Sequence, residues 1–145
     1  MKLITALVFT LFVAVSLPLD TARSQEVAAA DAQEFQRIIS AQIEAFQTDD
    51  GPSAYSYAAP LIHKAFPTPD VFMEMVRRGY APVYRPRSFT FGEVTAEMNN
   101  RPTQRVTIID ANGKAWIALY AFEKQPDGSW KIIGCSLEES QGGEA

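Results

Sequence analysis

The spacing of apolar residues changes from a helical to a strand-like period near Gly79, and this change constrains the fold more than any other feature of the chain. Before Gly79, apolar side chains recur every three or four residues, as on one face of an amphipathic helix. After it, short runs rich in β-branched and aromatic residues alternate with turn signals. Because helices come first and strands second, the chain is predicted to form an α+β domain.

The first two predicted helices are separated by a strong stop signal. The first begins with Asp31 as its N-cap and ends at residues 49–52, where Gly is followed by Pro. Its apolar stripe consists of Phe35, Ile38, Ile39, Ile43 and Phe46. The second begins with Ser53 as its N-cap. Pro60 interrupts its helical period, which predicts a short helix, a kink and one further turn.

A third helix is predicted from Pro69 to Arg78, with Thr68 as its N-cap and Gly79 as the residue that follows its end. The stretch from Tyr80 to Arg87 contains two prolines, which favour extended backbone in the residues before them. We therefore expect an extended connection between the third helix and the strands.

Four strands complete the predicted fold. Asn112-Gly113 between two β-rich runs is one of the best short hairpin signals, and a second tight turn is predicted at residues 125–129. The predicted architecture is three N-terminal helices packed on a four-stranded antiparallel sheet. The strands cover residues 88–98, 103–110, 115–124 and 130–137.

The third predicted strand has apolar residues on both of its faces. Trp116, Tyr120 and Phe122 alternate with Ile117 and Leu119. An antiparallel strand with one wet face would alternate between apolar and polar residues, so this strand is expected to be covered on both sides. The helices cover one face, and the other face is a candidate homodimer interface.

Residues 1–24 have the layout of a secretory signal peptide. A basic Lys2 precedes an almost wholly apolar run, Pro18 ends it, and Ala22-Arg23-Ser24 offers small residues for cleavage. Cleavage after Ala30 and an uncleaved anchor are the alternatives, although the run is short for a membrane span. We expect a single domain over residues 25–145, periplasmic or secreted, with no stable membrane insertion after cleavage.

Composition excludes several classes of protein. The chain has 145 residues with one Cys and one His, too few of these ligands for a tetrahedral zinc cage, so neither a metal nor a cofactor is expected. The leader carries two basic residues and one acidic residue, so its loss takes the formal net charge from −4 to −5. An acidic chain of this kind is not expected to bind nucleic acid. Cys135 is interpreted as a buried, inert thiol, with a reactive or intermolecular thiol as the alternative.

Five stretches of the mature chain carry a family resemblance: residues 43–46 (IEAF) with Asp49-Asp50, Ala59-Pro60, residues 72–87 (FMEMVRRGYAPVYRPR), residues 113–120 (GKAWIALY) and residues 125–135. In these stretches the chain resembles a proteobacterial family described as a domain of unknown function, DUF4864. The resemblance brings no established activity.

The order of elements also resembles the nuclear-transport-factor-2-like cone shared by SnoaL-like and ketosteroid-isomerase-like proteins. The closing segment, residues 127–135, looks like the last hairpin and strand of that superfamily. The resemblance implies that the four-stranded sheet is strongly curved and that the cone holds a pocket at its wide end, lined by apolar and aromatic groups. Pockets of this superfamily can hold an acidic residue, His or Tyr for acid–base chemistry.

An Arg- and Tyr-rich stretch is the most informative candidate site. No acidic residue occurs between Met75 and Gly92, and guanidinium groups bind carboxylate or phosphate through two parallel hydrogen bonds. The candidates are Arg77, Tyr80, Tyr84, Arg85 and Arg87. The competing interpretation divides the cluster: Arg77 and Arg78 complete a helix end, while Arg85 and Arg87 pair with acids on neighbouring elements.

His63 and Tyr57 are further candidate ligand-binding residues on the second helical segment. His63 is the only imidazole and lies next to the kink at Pro60, so it is a candidate general base or ligand donor. A polar residue on the helix surface is the simpler interpretation. No catalytic residue is assigned.

The sequence favours a non-enzymatic binding module for a small, partly apolar or anionic ligand, or for a protein partner. One alternative is an isomerase- or hydratase-like enzyme that uses the same pocket. The other is a purely structural homodimer.

Overall fold

The structure, a computed structural model, describes residues 19–141, with side chains described from residue 29 onward. Of the predicted leader, residues 1–18 lie outside the described residues, and residues 19–24 form the first turns of a helix. The helices are α1 (Leu19–Gln47), α2 (Gly51–Ser56), α3 (Pro60–Ala65), α4 (Pro69–Gly79) and α5 (Ala81–Tyr84). The strands are β1 (Ser88–Met98), β2 (Arg101–Ile109), β3 (Ala115–Lys124) and β4 (Trp130–Glu139).

The α+β class is confirmed, but the described residues form five helices rather than three. Pro60 does not kink one helix: it occupies the first turn of α3, where a missing N–H removes no hydrogen bond. Pro82 likewise lies in the first turn of α5, so the predicted extended connection over residues 80–87 is wrong. Four of the five described helices, α2 to α5, have a proline in their first turn.

Two predicted helix starts are also wrong. Asp31 lies inside α1, which begins at Leu19. The N-cap of α2 is Asp50 rather than Ser53, because the Asp50 side chain accepts the Ser53 backbone N–H at 3.1 Å. The start of α4 is confirmed, since Thr68 Oγ1 accepts the Val71 N–H at 3.2 Å.

The end of α4 differs from the prediction in its backbone conformation. Gly79 is the last residue of the helix and is not in the left-handed region. Tyr80 follows it as the C-cap, and its N–H donates to the Val76 carbonyl at 2.9 Å. The chain therefore turns directly from α4 into α5 without a left-handed glycine.

The sheet is antiparallel with strand order β1-β2-β3-β4. Asn99 and Asn100 have φ values of 54° and 58°, the positive values that a two-residue hairpin turn of the primed type requires. Gly113 and Gly128 provide the positive φ in the other two turns. The predicted strands are therefore confirmed with shifts of one or two residues at some ends.

The core lies between α1 and the sheet. Ile38, Ile39 and Ile43 of α1 are at most 1% exposed, and the Phe35 ring stacks on the Phe122 ring of β3 with centroids 4.2 Å apart. On β3 all five residues from Ala118 to Phe122 are buried, which confirms a strand covered on both faces. This chain alone buries the alternate positions Leu119 and Ala121.

The segment between α2 and α3 pairs with the last strand. Ala58 forms a parallel bridge with Ile132, in which Ala59 N–H donates to the Ile132 carbonyl at 2.8 Å and Ile132 N–H donates to the Tyr57 carbonyl at 2.9 Å. These bonds hold α3 beside β4. The short helices α3, α4 and α5 are thereby placed around one region of the sheet.

Candidate functional site

A cavity of about 310 Å³ lies between the helices and the sheet. Helices α1, α3, α4 and α5 contribute mainly aromatic and aliphatic side chains to its wall, among them Phe46, Ile62, Phe72 and Val83. Four polar side chains complete the lining: Gln42, Tyr80, Tyr120 and Cys135. No charged side chain of the described residues lines this cavity.

Tyr120 is the most deeply buried polar side chain of the cavity. It lies in the middle of β3 and is 1% exposed, and its hydroxyl has no hydrogen-bond partner among the described residues. Burial raises the pKa of this phenol well above its usual value, with a smaller contribution from Cys135. The hydroxyl therefore stays protonated at any physiological pH and is available as a donor.

Cys135 lies directly across from Tyr120 on β4, so the two side chains share one face of the sheet. Burial raises the pKa of the Cys135 thiol to about 12. The thiol is close enough to affect the Tyr120 hydroxyl, but no hydrogen bond of acceptable geometry joins them. With so little thiolate present near neutral pH, the thiol is a poor nucleophile.

Gln42 of α1 is the one amide side chain among the described residues that line the cavity. It is 4% exposed, and its Nε2 donates to the Ala54 carbonyl of α2 at 3.1 Å. The amide therefore joins two helices, and its nitrogen is already used. The sequence carried a signal for this residue, because Gln42 is a polar position between Ile38 and Phe46 on the apolar stripe of α1.

Tyr80 is the one candidate of the Arg- and Tyr-rich stretch that lines the cavity. It connects α4 to α5, and burial raises the pKa of its hydroxyl. It stands between two short helices, so its position depends on the turn at Gly79. Tyr80 is a partly exposed polar group of the cavity, in contrast to the buried Tyr120.

Tyr84 and Arg85 contact the end of α1 instead of the cavity. The Arg85 guanidinium donates to the Phe46 carbonyl, and its Nη2 lies 3.0 Å from Asp49 Oδ1. The Tyr84 hydroxyl donates to the same carboxylate oxygen, and the Arg85 guanidinium stacks over the Tyr84 ring at 4.2 Å. The Tyr84 hydrogen bond, followed by Arg85, lowers the pKa of Asp49.

The other arginine candidates are also engaged with groups of this chain. Arg77 lies 4.0 Å from Glu74 on the same helix and stacks 5.9 Å above the Tyr84 ring. Arg87 Nη2 donates to the Ala111 carbonyl at 3.0 Å and so holds the β2–β3 turn. Arg77 and Arg85 therefore both lie beside the Tyr84 ring, where both contribute to the lowered pKa of Asp49, whereas Arg87 is held at a separate turn.

His63 and Tyr57 lie away from the cavity. The His63 ring stacks on the Tyr55 ring with centroids 3.8 Å apart, and its Nε2 lies 2.8 Å from the Tyr55 carbonyl oxygen. His63 borders a second, more open depression together with Asp127 and Lys131. Tyr57 caps the end of α2, and its carbonyl takes part in the bridge to β4.

Within the described part of the chain, no group of three or more His, Cys, Asp or Glu side chains is arranged to hold a metal ion. Among the described helices, none combines the length and the apolar character that a membrane span requires.

The fold and the cavity define a small α+β protein with an apolar cavity between its helices and an antiparallel sheet. The chain belongs to the family described as Domain of unknown function (DUF4864), whose model matches residues 28–145. No curated protein and no solved structure matches the chain. The resemblance to DUF4864 is thereby confirmed, while the cone fold and the proteobacterial origin stay predictions.

Proposed function

We propose that this protein binds a small, uncharged and largely apolar molecule in the cavity between its helices and its sheet. The observation that carries this proposal is the composition of the wall, which is apolar apart from four side chains, none of them charged. Small-molecule pockets commonly have this composition and a volume of roughly 300–1,000 Å³. The resemblance to the cone superfamily supports the proposal, since that fold forms pockets of this kind.

An anionic ligand is less well supported than an uncharged one. Burying a carboxylate is costly unless a cation or several hydrogen-bond donors compensate its charge. No Lys or Arg of the described residues lines the cavity, and Arg85 and Arg87 are bonded to groups of this chain. An anionic ligand, which the sequence suggests, is therefore not part of the proposal.

Binding is also favoured over acid–base catalysis. A general acid or base works best with a pKa near the operating pH. The ionisable groups of the cavity wall are tyrosines with raised pKa values and a thiol with a pKa of about 12. His63, the candidate general base, lies outside the cavity wall. We further propose that the ligand is bound outside the cytoplasm, because residues 1–24 have the layout of a signal peptide.

Binding of a neutral fluorescent probe tests the proposal. N-phenyl-1-naphthylamine should bind the purified protein with increased emission, and Val76→Phe should weaken binding at least about tenfold because the larger side chain fills the cavity. Val76 is 4% exposed and lines the wall. Val71→Phe, at a 47% exposed position on the same helix, is the matched control and should leave binding unchanged.

Reactivity of Cys135 gives a second measurement for the case that Val76→Phe does not fold. Bound probe should slow alkylation of this thiol in the unaltered protein, because Cys135 lines the same cavity. If the probe does not bind, or binds without protecting Cys135, the proposal is wrong.

A further inference from the structure

The hydroxyl of Tyr120 has no hydrogen-bond partner among the described residues. An unpaired buried hydroxyl is unfavourable, and native proteins pair the large majority of such groups. Tyr120 lines the cavity, is 1% exposed and lacks a protein partner. The cavity is therefore the place where this hydroxyl can find one.

The neighbouring polar residues do not supply that partner. Gln104 lies directly across from Tyr120 on β2, but its Nε2 donates to the Gly92 and Arg105 carbonyls at 2.8 and 2.9 Å, and its Oε1 also lacks a partner. Gln42 Nε2 donates to the Ala54 carbonyl. The Cys135 sulfur is at best a weak acceptor. The Tyr120 hydroxyl is therefore a buried donor without an acceptor, on a side chain that lines an apolar cavity.

This arrangement selects among the molecules that could fill the cavity. A pure hydrocarbon would leave the hydroxyl unpaired, whereas a carboxylate would be buried without a compensating cation. A neutral acceptor such as a ketone, ester or ether oxygen would pair with the hydroxyl at no cost in buried charge.

We propose that the ligand is a neutral, mostly apolar molecule with an acceptor atom that accepts a hydrogen bond from the Tyr120 hydroxyl. This inference rests on the proposed function, because it names the chemistry of the molecule that the cavity binds. Tyr120 is then the residue that distinguishes an oxygen-bearing ligand from a hydrocarbon of the same shape.

Three probes that share one ring system test the inference. 2-Acetylnaphthalene carries a carbonyl, 2-ethylnaphthalene replaces it with a methylene group, and 2-naphthoate carries a charge. Displacement of N-phenyl-1-naphthylamine should rank the ketone first and the carboxylate last. In Tyr120→Phe, affinity for the ketone should fall roughly three- to tenfold, the usual value of one hydrogen bond, while affinity for 2-ethylnaphthalene should stay the same or rise.

The variant is expected to fold, because Tyr120→Phe removes an unpaired hydroxyl and keeps the buried ring. Tyr57→Phe makes the same chemical change outside the cavity and should alter none of the affinities. If Tyr120→Phe weakens binding of the ketone and of the hydrocarbon equally, or weakens binding of neither, the inference is wrong while the proposed function stands. If none of the neutral probes binds the unaltered protein, both are wrong.

Discussion

The indole Nε1 of Trp130 donates a hydrogen bond of 3.1 Å to Asp31 Oδ1, which joins the first residue of β4 to the middle of α1. The Trp130 ring also packs edge-on against the Phe35 ring at 5.1 Å, one turn further along the helix. Ninety-nine residues separate the two partners in the chain. The contact therefore connects the first described helix of the domain to its last strand.

Removal of the Asp31 acceptor should destabilise the protein without altering its fold. Asp31→Ala leaves a partly buried indole N–H without its partner, and about 1 kcal/mol of unfolding free energy should be lost. Asp31→Asn, which keeps an oxygen at this position, is the matched control and should retain most of that free energy. Urea denaturation measures both variants, and equal losses in the two would contradict the role given to this bond.

Arg85 is expected to stabilise the end of α1 and to leave ligand binding unchanged. Arg85→Ala should lower the unfolding free energy by about 1 kcal/mol, because the Phe46 carbonyl at the helix end loses one of its two donors and keeps only the Asp49 N–H. Arg78→Ala is the control, since Arg78 is 80% exposed and pairs with Glu74 of its own helix. A loss of affinity for 2-naphthoate in Arg85→Ala, at unchanged stability, would instead support the anion site that the sequence suggested.

Asp110 should make the unfolding free energy of the protein depend on pH in the acidic range. The Trp116 indole, which donates at 3.0 Å, and the Lys114 backbone N–H hold the pKa of Asp110 below its usual 3.8. Between those two pKa values the unfolded chain binds more protons than the folded protein. The stabilisation that the ionised Asp110 side chain gives the folded protein is therefore complete above the usual pKa, and it is lost as the pH falls through the lowered pKa.

Urea denaturation between about pH 5 and pH 3 measures that contribution. Asp110→Asn should make the unfolding free energy fall less steeply with decreasing pH. Trp116→Phe, which removes the hydrogen bond that lowers the Asp110 pKa most, should have a smaller effect in the same direction. An unchanged pH dependence in Asp110→Asn would show that other carboxylates determine how the unfolding free energy changes with pH.

Cys135 should react slowly in the folded protein. A pKa of about 12 leaves very little thiolate at pH 8, so reaction with Ellman's reagent should be at least about one hundredfold slower than that of a free thiol. Denaturation in urea should restore the rate of an ordinary cysteine. Rapid reaction without denaturant would favour the reactive-thiol alternative.

The strands could be predicted from sequence because their signals are local. Alternation of side chains and the turns at Asn99-Asn100, Asn112-Gly113 and Asp127-Gly128 bound each strand to within two residues. The helix count could not be predicted in the same way. Pro60 and Pro82 are compatible with a kink, a stop or a first turn, and the choice depends on tertiary contacts such as the bridge between Ala58 and Ile132.

The candidate site was only partly predictable for a related reason. Tyr80 was identified from its chemistry and does line the cavity. From the sequence Tyr120 counts only as one of the apolar residues of the third strand, because the absence of a partner for its hydroxyl is a property of the folded chain. The cluster around Arg85 suggested a ligand site, because its partners Phe46 and Asp49 are 39 and 36 residues upstream.

The bridge between Ala58 and Ile132 bears on how the molecule avoids aggregation. An open sheet edge offers unpaired backbone groups that can recruit a strand from another molecule. At Ile132 the chain covers its own β4 edge, and on the opposite edge two register shifts interrupt β1 between Phe91 and Met98. Both edges of this sheet are thus interrupted at these positions, which disfavours edge-to-edge pairing of a small protein with a largely apolar central strand.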